Sequence, residues 1–435
     1  MNDYSGLLRE RLVSLIRQMA ASPAAYVKNP EKDFTRNRKL PFETIMLLLI
    51  AMGGNSICKE LLEAQGYDVG TATSSAFVQQ RGKILPAAFE ELFHKFTQEN
   101  QGPKDYHGYR LLAEDGSALA IAADPKDLMT FWQRRPGDKA CGLLHLNALY
   151  DLCNRLYLDA VIQNRKEQNE PRALTDMVER SPIRDKAILL ADRGYESYNI
   201  FAHVERKGWH YLIRVKDGAG GILSGLSLPD TEEFDICVSR VLTRKQRKAT
   251  KRPDLYKFMP TNQTFDFLEL GSDDDYTMSF RIVRVKINDD LTETLITNLP
   301  KSEFSPAQLK ELYNMRWGIE TSFRKLKYTI GLLNFHAKKR ECIKQEIFAR
   351  LIMYNFTEMI TAHVVISKTG TKHAYQVNFT VAVHVCKRFL RPWAHAPPPN
   401  VEALIAQNIL PVRPNRKDAR KMRGKSAISF LYRVA

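Results

Sequence analysis

The sequence predicts an α/β protein: a mixed sheet interrupted by a long β-rich stretch, preceded by a helical segment and followed by further helices. Three observations predict it. Short apolar runs of strand length recur between residues 110 and 192, and a helical pattern stands before the last of them. Apolar residues at three-to-four spacing dominate both ends of the chain. At 435 residues the chain exceeds what one hydrophobic core organises, so several structural units share it.

Residues 1 to about 105 read as helical. Leu7, Leu8, Leu12, Leu15 and Ile16 recur at helical spacing, Pro41 opens the apolar run that ends at Met52, and Ala87–Phe96 supplies another helix. Between them Ser74–Lys83 is polar and basic, with a serine cap signal at its front. It reads equally as a DNA-facing surface or as a solvated helix face. From Tyr109 the pattern changes to strands at Arg110–Asp115, Leu143–Tyr150, Leu156–Val161 and Ala187–Asp192, with a helix over Pro171–Arg180. Ser197–Lys207 is a helix stopped by Gly208. Strand patterns then dominate from Trp209 to Pro300, including Tyr211–Val215, Phe280–Ile287 and Thr294–Thr297. Asp273–Asp275 and Arg244–Arg252 read as exposed turns. Helices return at Pro306–Ile330 and Ile343–Val365, and a basic segment, Val412–Lys425, follows the proline-rich break at 392–399.

The chain holds 65 Lys plus Arg against 49 Asp plus Glu, a formal net charge of +16. A surplus of that size favours a polyanionic partner. Six scattered cysteines show neither zinc spacing nor a disulfide framework, which suits a cytoplasmic protein. The longest apolar run, Ile45–Met52, is far short of the ~20 residues that span a bilayer, so no membrane is expected.

On the helix from Pro306, positions seven apart return nearly to one face. Tyr313, Glu320 and Lys327 are so spaced, with Arg316 close by. Such a stripe suits phosphate and metal; a solvated face with ion pairs is the alternative. Two other acids give it context. Asp115 and Asp192 each end an otherwise apolar strand, where a carboxylate is costly unless a cation meets it. A turn-capping aspartate is the competing reading for each. Glu114 should face away from Asp115 by strand alternation. Asp151, Asp159 and Asp185 are the remaining competitors.

At these residues the chain resembles the insertion-sequence-four group of bacterial transposases, which have an RNase H-like core and a DDE triad. The group's signature, Tyr-x2-Arg-x3-Glu-x6-Lys, is met by Tyr313, Arg316, Glu320 and Lys327, with Trp317 and Ile319 also similar. Asp192-Arg193-Gly194-Tyr195 is similar to the run at the second aspartate, and Glu114-Asp115-Gly116-Ser117 to that at the first. The 127 residues between Asp192 and Glu320 leave room for the group's β-rich insertion.

The resemblance implies Asp115, Asp192 and Glu320 as catalytic metal ligands for two Mg²⁺ ions, with Mn²⁺ able to substitute. It implies Tyr313, Arg316, Lys327 and Arg193 as DNA contacts. The implied partners are double-stranded DNA, both the element's inverted-repeat ends and the target, and a second copy of the chain. The activity would be cut-and-paste transposition by strand cleavage and transfer in the bacterial cytoplasm, with the protein nucleoid-associated when on DNA. A catalytically silent DNA-binding derivative and a metal-dependent nuclease of the same fold are the alternatives. The expected organisation is a helical DNA-binding domain at 1–105, the catalytic core at 106–208 and 301–365, a β-rich insertion at 209–300, and a C-terminal region with its basic tail at 366–435. Relatives stack a flipped base on an insertion-domain tryptophan; here Trp209 is the only one in that stretch.

Overall fold

Strand order, more than strand number, decides which side chains can meet. In the computed structural model, which describes residues 4–36, 38–217, 221–288, 291–364, 374–391 and 398–412, one large sheet runs through the chain. Helices α1 (Tyr4–Ala21), α2 (Phe42–Ala51), α3 (Ile57–Ala64), α4 (Ser74–Arg81) and α5 (Pro86–Glu99) precede it. The sheet begins with β1 (Arg110–Ile121), β2 (Phe131–Trp132), β3 (Cys141–Asp151) and β4 (Leu156–Asn164). After α6 (Glu170–Arg180) come β5 (Ala187–Ala191), α7 (Tyr198–Arg206) and β6 (His210–Val215). β1, β3 and β4 pair antiparallel, whereas β5 lies parallel to β1 and β6 parallel to β5. This is the mixed α/β sheet the sequence predicts.

The stretch expected as an insertion continues this sheet. It adds β7 (Phe234–Thr243), α8 (Gln246–Lys251), β8 (Tyr256–Phe258), β9 (Asp275–Asn288) and β10 (Leu291–Thr297). The sheet runs β3-β1-β5-β6-β10-β9-β7-β8. β6 therefore belongs with the strands before it, although the expected insertion starts at residue 209. Arg244–Arg252, read as a turn, holds the short helix α8, and Lys245 and Lys248 pair with Asp273 and Asp275.

Helices α9 (Pro306–Met315), α10 (Trp317–Arg324) and α11 (Arg340–His363) follow, then β11 (Tyr375–Val377), α12 (Phe379–Leu390), α13 (Val401–Gln407) and β12 (Ile409–Pro411). The basic segment beyond residue 412 lies outside the described residues. α9 starts at a capping box, in which Ser305 and Gln308 satisfy each other's backbone groups and Pro306 fills the first turn. The single helix expected over Pro306–Ile330 is instead broken at Arg316 and ends in a π-helical stretch at Lys325–Ile330.

Strand alternation splits the core between two faces. Leu112, Leu149 and Leu189 pack with α6 and α7, together with Trp209. Leu111, Ile188, Leu190 and Leu212 lie on the opposite face under α9. Ala113 and Ala148 share that face with α10, α11 and all five N-terminal helices. α11 is buried through most of its length, including polar side chains such as Gln345, Glu346, Arg350 and Asn355. Its Asn355 clamps the β4 edge: the side-chain oxygen accepts the Tyr157 N–H at 2.9 Å, and the amide donates to the Tyr157 carbonyl at 2.7 Å.

The N-terminal helices are keyed to α11 and α12 by buried charges. Arg81, in the segment read as a surface, is 1% exposed; it pairs with Glu346 at 2.9 Å and donates to Gln345 Oε1 and the Cys342 carbonyl. Glu60 pairs with Arg391 at 2.6 Å. Neither the DNA-facing nor the solvated reading of Arg81 survives, because a charge without solvent must have partners.

Candidate active site

Asp115 lies on β1 at the parity of Leu111 and Ala113, and so faces α9 and α10. Asp192 follows β5 at the parity of Ile188 and Leu190, on the same face. Glu320 comes down from α10. α10 passes close to Leu152 at Gly318, where a Cβ would stand 2.7 Å from the movable Cδ2 of that leucine. The sheet thus brings the three sequence-predicted acids to one side of the molecule.

Each acid has a different setting. Asp115 Oδ1 accepts the Gly116 N–H at 2.8 Å. Burial pushes its carboxyl up to about 6; that N–H and Arg316 oppose the rise, while Glu320 and Glu170 add to it. Asp192 caps its own turn, accepting the Arg193 N–H at 2.6 Å, and meets the Arg214 guanidinium at 2.7 Å. Burial alone would raise Asp192, but these contacts outweigh it and hold the carboxyl below the usual aspartate range. Arg214 also pairs with Glu293 at 2.6 Å. Glu320 pairs with Arg316 at 2.8 Å.

The expected DNA contacts occupy two environments. Arg193 is exposed at the Asp192 turn. Tyr313 and Arg316 are only 4% and 3% exposed. The guanidinium carbons of Arg316 and Arg214 stand 5.7 and 6.0 Å from the centre of the Tyr313 ring. Their polar groups therefore face the acids and not an open surface. Lys327 is partly buried; desolvation lowers its ammonium pKa and the charge of Asp115 works against that. Trp317 is 52% exposed, with the Arg316 guanidinium carbon 5.2 Å from the centre of its ring. Trp209, the tryptophan of the expected insertion, is 2% exposed in the core and presents no stacking surface.

The competing acids are committed elsewhere. Asp151 pairs with Arg110 and receives hydrogen bonds from Asn154. Asp159 is held by Arg180 at 2.6 Å and His94 at 2.8 Å. Asp185 meets Arg110 on the surface. Glu114 does point to the opposite face, where it is fully buried and its carboxyl is raised far above the ordinary range by desolvation. Arg214 and Glu293 had no signal in sequence beyond alternation: a charged residue at the parity of the buried Leu212 marks an inward-facing position.

The donor set suits a hard divalent cation, since all three residues offer carboxylate oxygen. Asp115 supports the fit, being a half-buried acid with no ion pair among the described residues. Among the described residues, however, no three His, Cys, Asp or Glu side chains stand close enough to hold one ion as they are. Asp192 and Glu320 are drawn to Arg214 and Arg316, and each would exchange a guanidinium for the cation. No described helix is long and apolar enough to cross a membrane.

Residues 107–356 match the family model described as the Transposase DDE domain. The transposase for insertion sequence element IS421 of Escherichia coli is 41% identical over 58 residues, 13% of this chain and 16% of that protein. The match thus spans about a sixth of that relative's length. Transposase InsG for insertion sequence element IS4 of Escherichia coli (strain K12) is 23% identical over 336 residues, covering 74% of this chain and 70% of InsG. A piggyBac transposase synaptic complex with hairpin DNA, solved by cryo-EM, superposes with a TM-score of 0.48 at 12% identity, covering 90% of this chain and 80% of that one.

Proposed function

This chain belongs to the Transposase DDE domain family, and from that premise we propose that it moves a bacterial insertion sequence by cut-and-paste transposition. It cleaves double-stranded DNA at the element's inverted-repeat ends and joins the freed ends to a target, through Asp115, Asp192 and Glu320. One observation supports this above the rest: three acids more than seventy residues apart in sequence share one face of the sheet, and the most buried of them has no ion-pair partner among the described residues.

A pair of Mg²⁺ ions, replaceable by Mn²⁺, supplies an activated nucleophile and a stabilised leaving oxygen when bound. The chain's own residues do the remainder. Asp115, fixed by the Gly116 N–H, presents its carboxylate from the rigid strand. Arg214 and Arg316 hold Asp192 and Glu320 in place beforehand, so the like charges of the three acids do not drive them apart. Glu320 would help hold the cation, and the Arg316 fork, paired with Glu320 at 2.8 Å, would suit a phosphate oxygen bidentately. Arg193 meets the backbone beside the cut, and Lys327 contributes a point charge from beyond Asp115. The loop before α2 offers Arg36 and Arg38 on the surface as a further DNA contact, with Arg38 lining a cleft of about 870 Å³ beside Leu40, Thr71, Thr73 and Gln80.

The test is metal-dependent cleavage and strand transfer on a duplex carrying the element's own end. Glu320→Gln should abolish both and leave end binding intact. Cleavage without strand transfer in the parent chain would favour a nuclease of this fold, and metal binding that survives Asp192→Ala would remove the assigned ligand set.

A further inference from the structure

β1 does not stop at the acids. It runs on from Asp115 to Ile121, and each residue from Gly116 to Ile121 pairs with β3. On its other edge the pairing with β5 ends at Ala113. At about 3.4 Å per residue, the strand carries the chain roughly 20 Å past Asp115.

Four segments meet at that far end and are fastened to one another. The Thr130 carbonyl accepts the Leu143 N–H at 2.8 Å, and the Met129 carbonyl accepts the Lys166 N–H at 3.2 Å. Asp127 pairs with Arg340, at the start of α11, at 3.1 Å. The β2–β3 hairpin closes in a tight turn, where the Asp138 N–H donates to the Arg135 carbonyl at 3.0 Å. Pro136 sets its first corner, and Gly137 supplies a positive φ of 91° at the second. The Gln133 amide straps the turn, donating to the Asp138 carbonyl at 2.8 Å. The side chains here stand on a fixed frame.

That frame presents Lys126, Arg134, Arg135, Lys139, Arg165 and Lys166, all exposed. None of the six makes an ion pair among the described residues. Asp124, Asp138 and Glu167 are the exposed acids among them, and the charge of Asp127 is already answered by Arg340. The basic helix α8, at the other edge of the sheet, differs: there Lys245 and Lys248 are met by Asp273 and Asp275. A cluster of unanswered like charges repels itself, and a polyanion relieves that repulsion.

We propose that this end of the β1–β3 arm binds the phosphates of double-stranded DNA about six base pairs from the cut, the length of duplex that spans roughly 20 Å. The inference rests on the reading of Asp115 as part of the cleavage site. Arg134, Arg135 and Lys139 on the hairpin are the principal contacts, with Lys126, Arg165 and Lys166 beside them. Such contacts read no bases; they hold the duplex in line with the acids. The element's own end and the DNA on the far side of the cut offer the same phosphates.

The test measures the affinity of the full-length chain for an end duplex as a function of salt, with hydroxyl-radical footprinting. Arg134→Ala/Arg135→Ala should weaken binding about tenfold at moderate salt and make the slope of log affinity against log salt shallower by about two. Protection about six base pairs from the cut should disappear, while protection at the cut persists. The melting temperature should not change, since both side chains are exposed. Arg247→Ala/Lys251→Ala removes the same charge from exposed positions on α8 and should leave the slope as it is. Two shortened duplexes, each stopping about three base pairs from the cut on one side, identify the source. The one that erases the difference between parent and variant lacks the DNA this surface holds. An unchanged slope in Arg134→Ala/Arg135→Ala, an equal loss in the α8 variant, or a difference that survives on both shortened duplexes would overturn the surface. A parent chain that binds the end duplex no better than unrelated DNA rejects the transposon-end reading instead, and the surface is then judged by the same slopes on the unrelated duplex.

Discussion

Two places in this molecule set acids against arginines, and they differ in how completely the charge is answered. Where the N-terminal helices meet α11, Arg81 and Glu346 are each 1% exposed and 2.9 Å apart. Glu346 also accepts the His336 backbone N–H at 2.9 Å, and its carboxyl is held down at about 2: burial would raise it, but Arg81, His336 and Arg350 prevail. At the sheet end, the Asp192 and Glu320 side chains remain 35% and 36% exposed, and Asp115 is raised to about 6. The first site is closed and self-sufficient. The second leaves carboxylates within reach of solvent, with Asp115 in no ion pair among the described residues. The same residue types thus make a rivet in one place and a candidate cation site in the other; access and unanswered charge separate them.

Substitutions at each site should pull the comparison further apart or collapse it. The largest effect is expected from Glu320→Gln, with cleavage reduced by at least about 10³-fold, or roughly 4 kcal/mol, and little change in melting temperature. A variant that loses fold and cleavage together would make this acid structural, like Glu346. Next is Glu346→Leu, which leaves Arg81 charged and buried without its carboxylate; chemical denaturation should show a loss of about 3–5 kcal/mol. The pH behaviour of this rivet follows the same sign. A folded-state pKa below the ordinary 4.5 gives stability that is present above pH 4.5 and lost as pH falls toward 2.

Asp115 should behave in the opposite sense. Its folded-state pKa lies above the ordinary 3.8, so the native state holds its proton more tightly than the unfolded chain. That advantage is complete below pH 3.8 and lost as pH rises through about 6. Asp115→Asn should therefore stabilise the metal-free protein at pH 8 by on the order of 1–3 kcal/mol, with no gain at pH 3.5, measured by urea unfolding at both pH values. Destabilisation at pH 8 would mean that the ionised carboxylate is already satisfied. The smallest effect belongs to Arg193→Ala: end affinity should fall severalfold, and the slope of log affinity against log salt should become shallower by about one. An unchanged slope would remove Arg193 from the phosphate contacts.

Much of this is legible in the chain itself. The strands at Arg110, Leu143, Leu156 and Ala187 stand out because their apolar runs end in polar turns, and Gly208 marks its helix end with a positive φ of 79°. The spacing of Tyr313, Arg316, Glu320 and Lys327 is legible as a pattern of types. The break at Arg316 and the π-helical stretch after it are not, because every residue there is compatible with a regular helix. Arg81 and Trp209 mislead for a related reason: an arginine or a tryptophan looks the same in sequence whether it lies on a surface or inside.

The sequence by itself determined the residue types, the alternation that sends Asp115 and Glu114 to opposite faces, and the family to which the chain belongs. Those are properties of neighbours along the chain, and local sterics with side-chain chemistry suffice to establish them. Only the tertiary structure decided which arginine answers which acid, that Arg214 and Glu293 join the site, and that the N-terminal helices are riveted to α11. Such pairings join residues tens to hundreds of positions apart, and the energy of a charge depends on the partners and solvent that packing leaves around it.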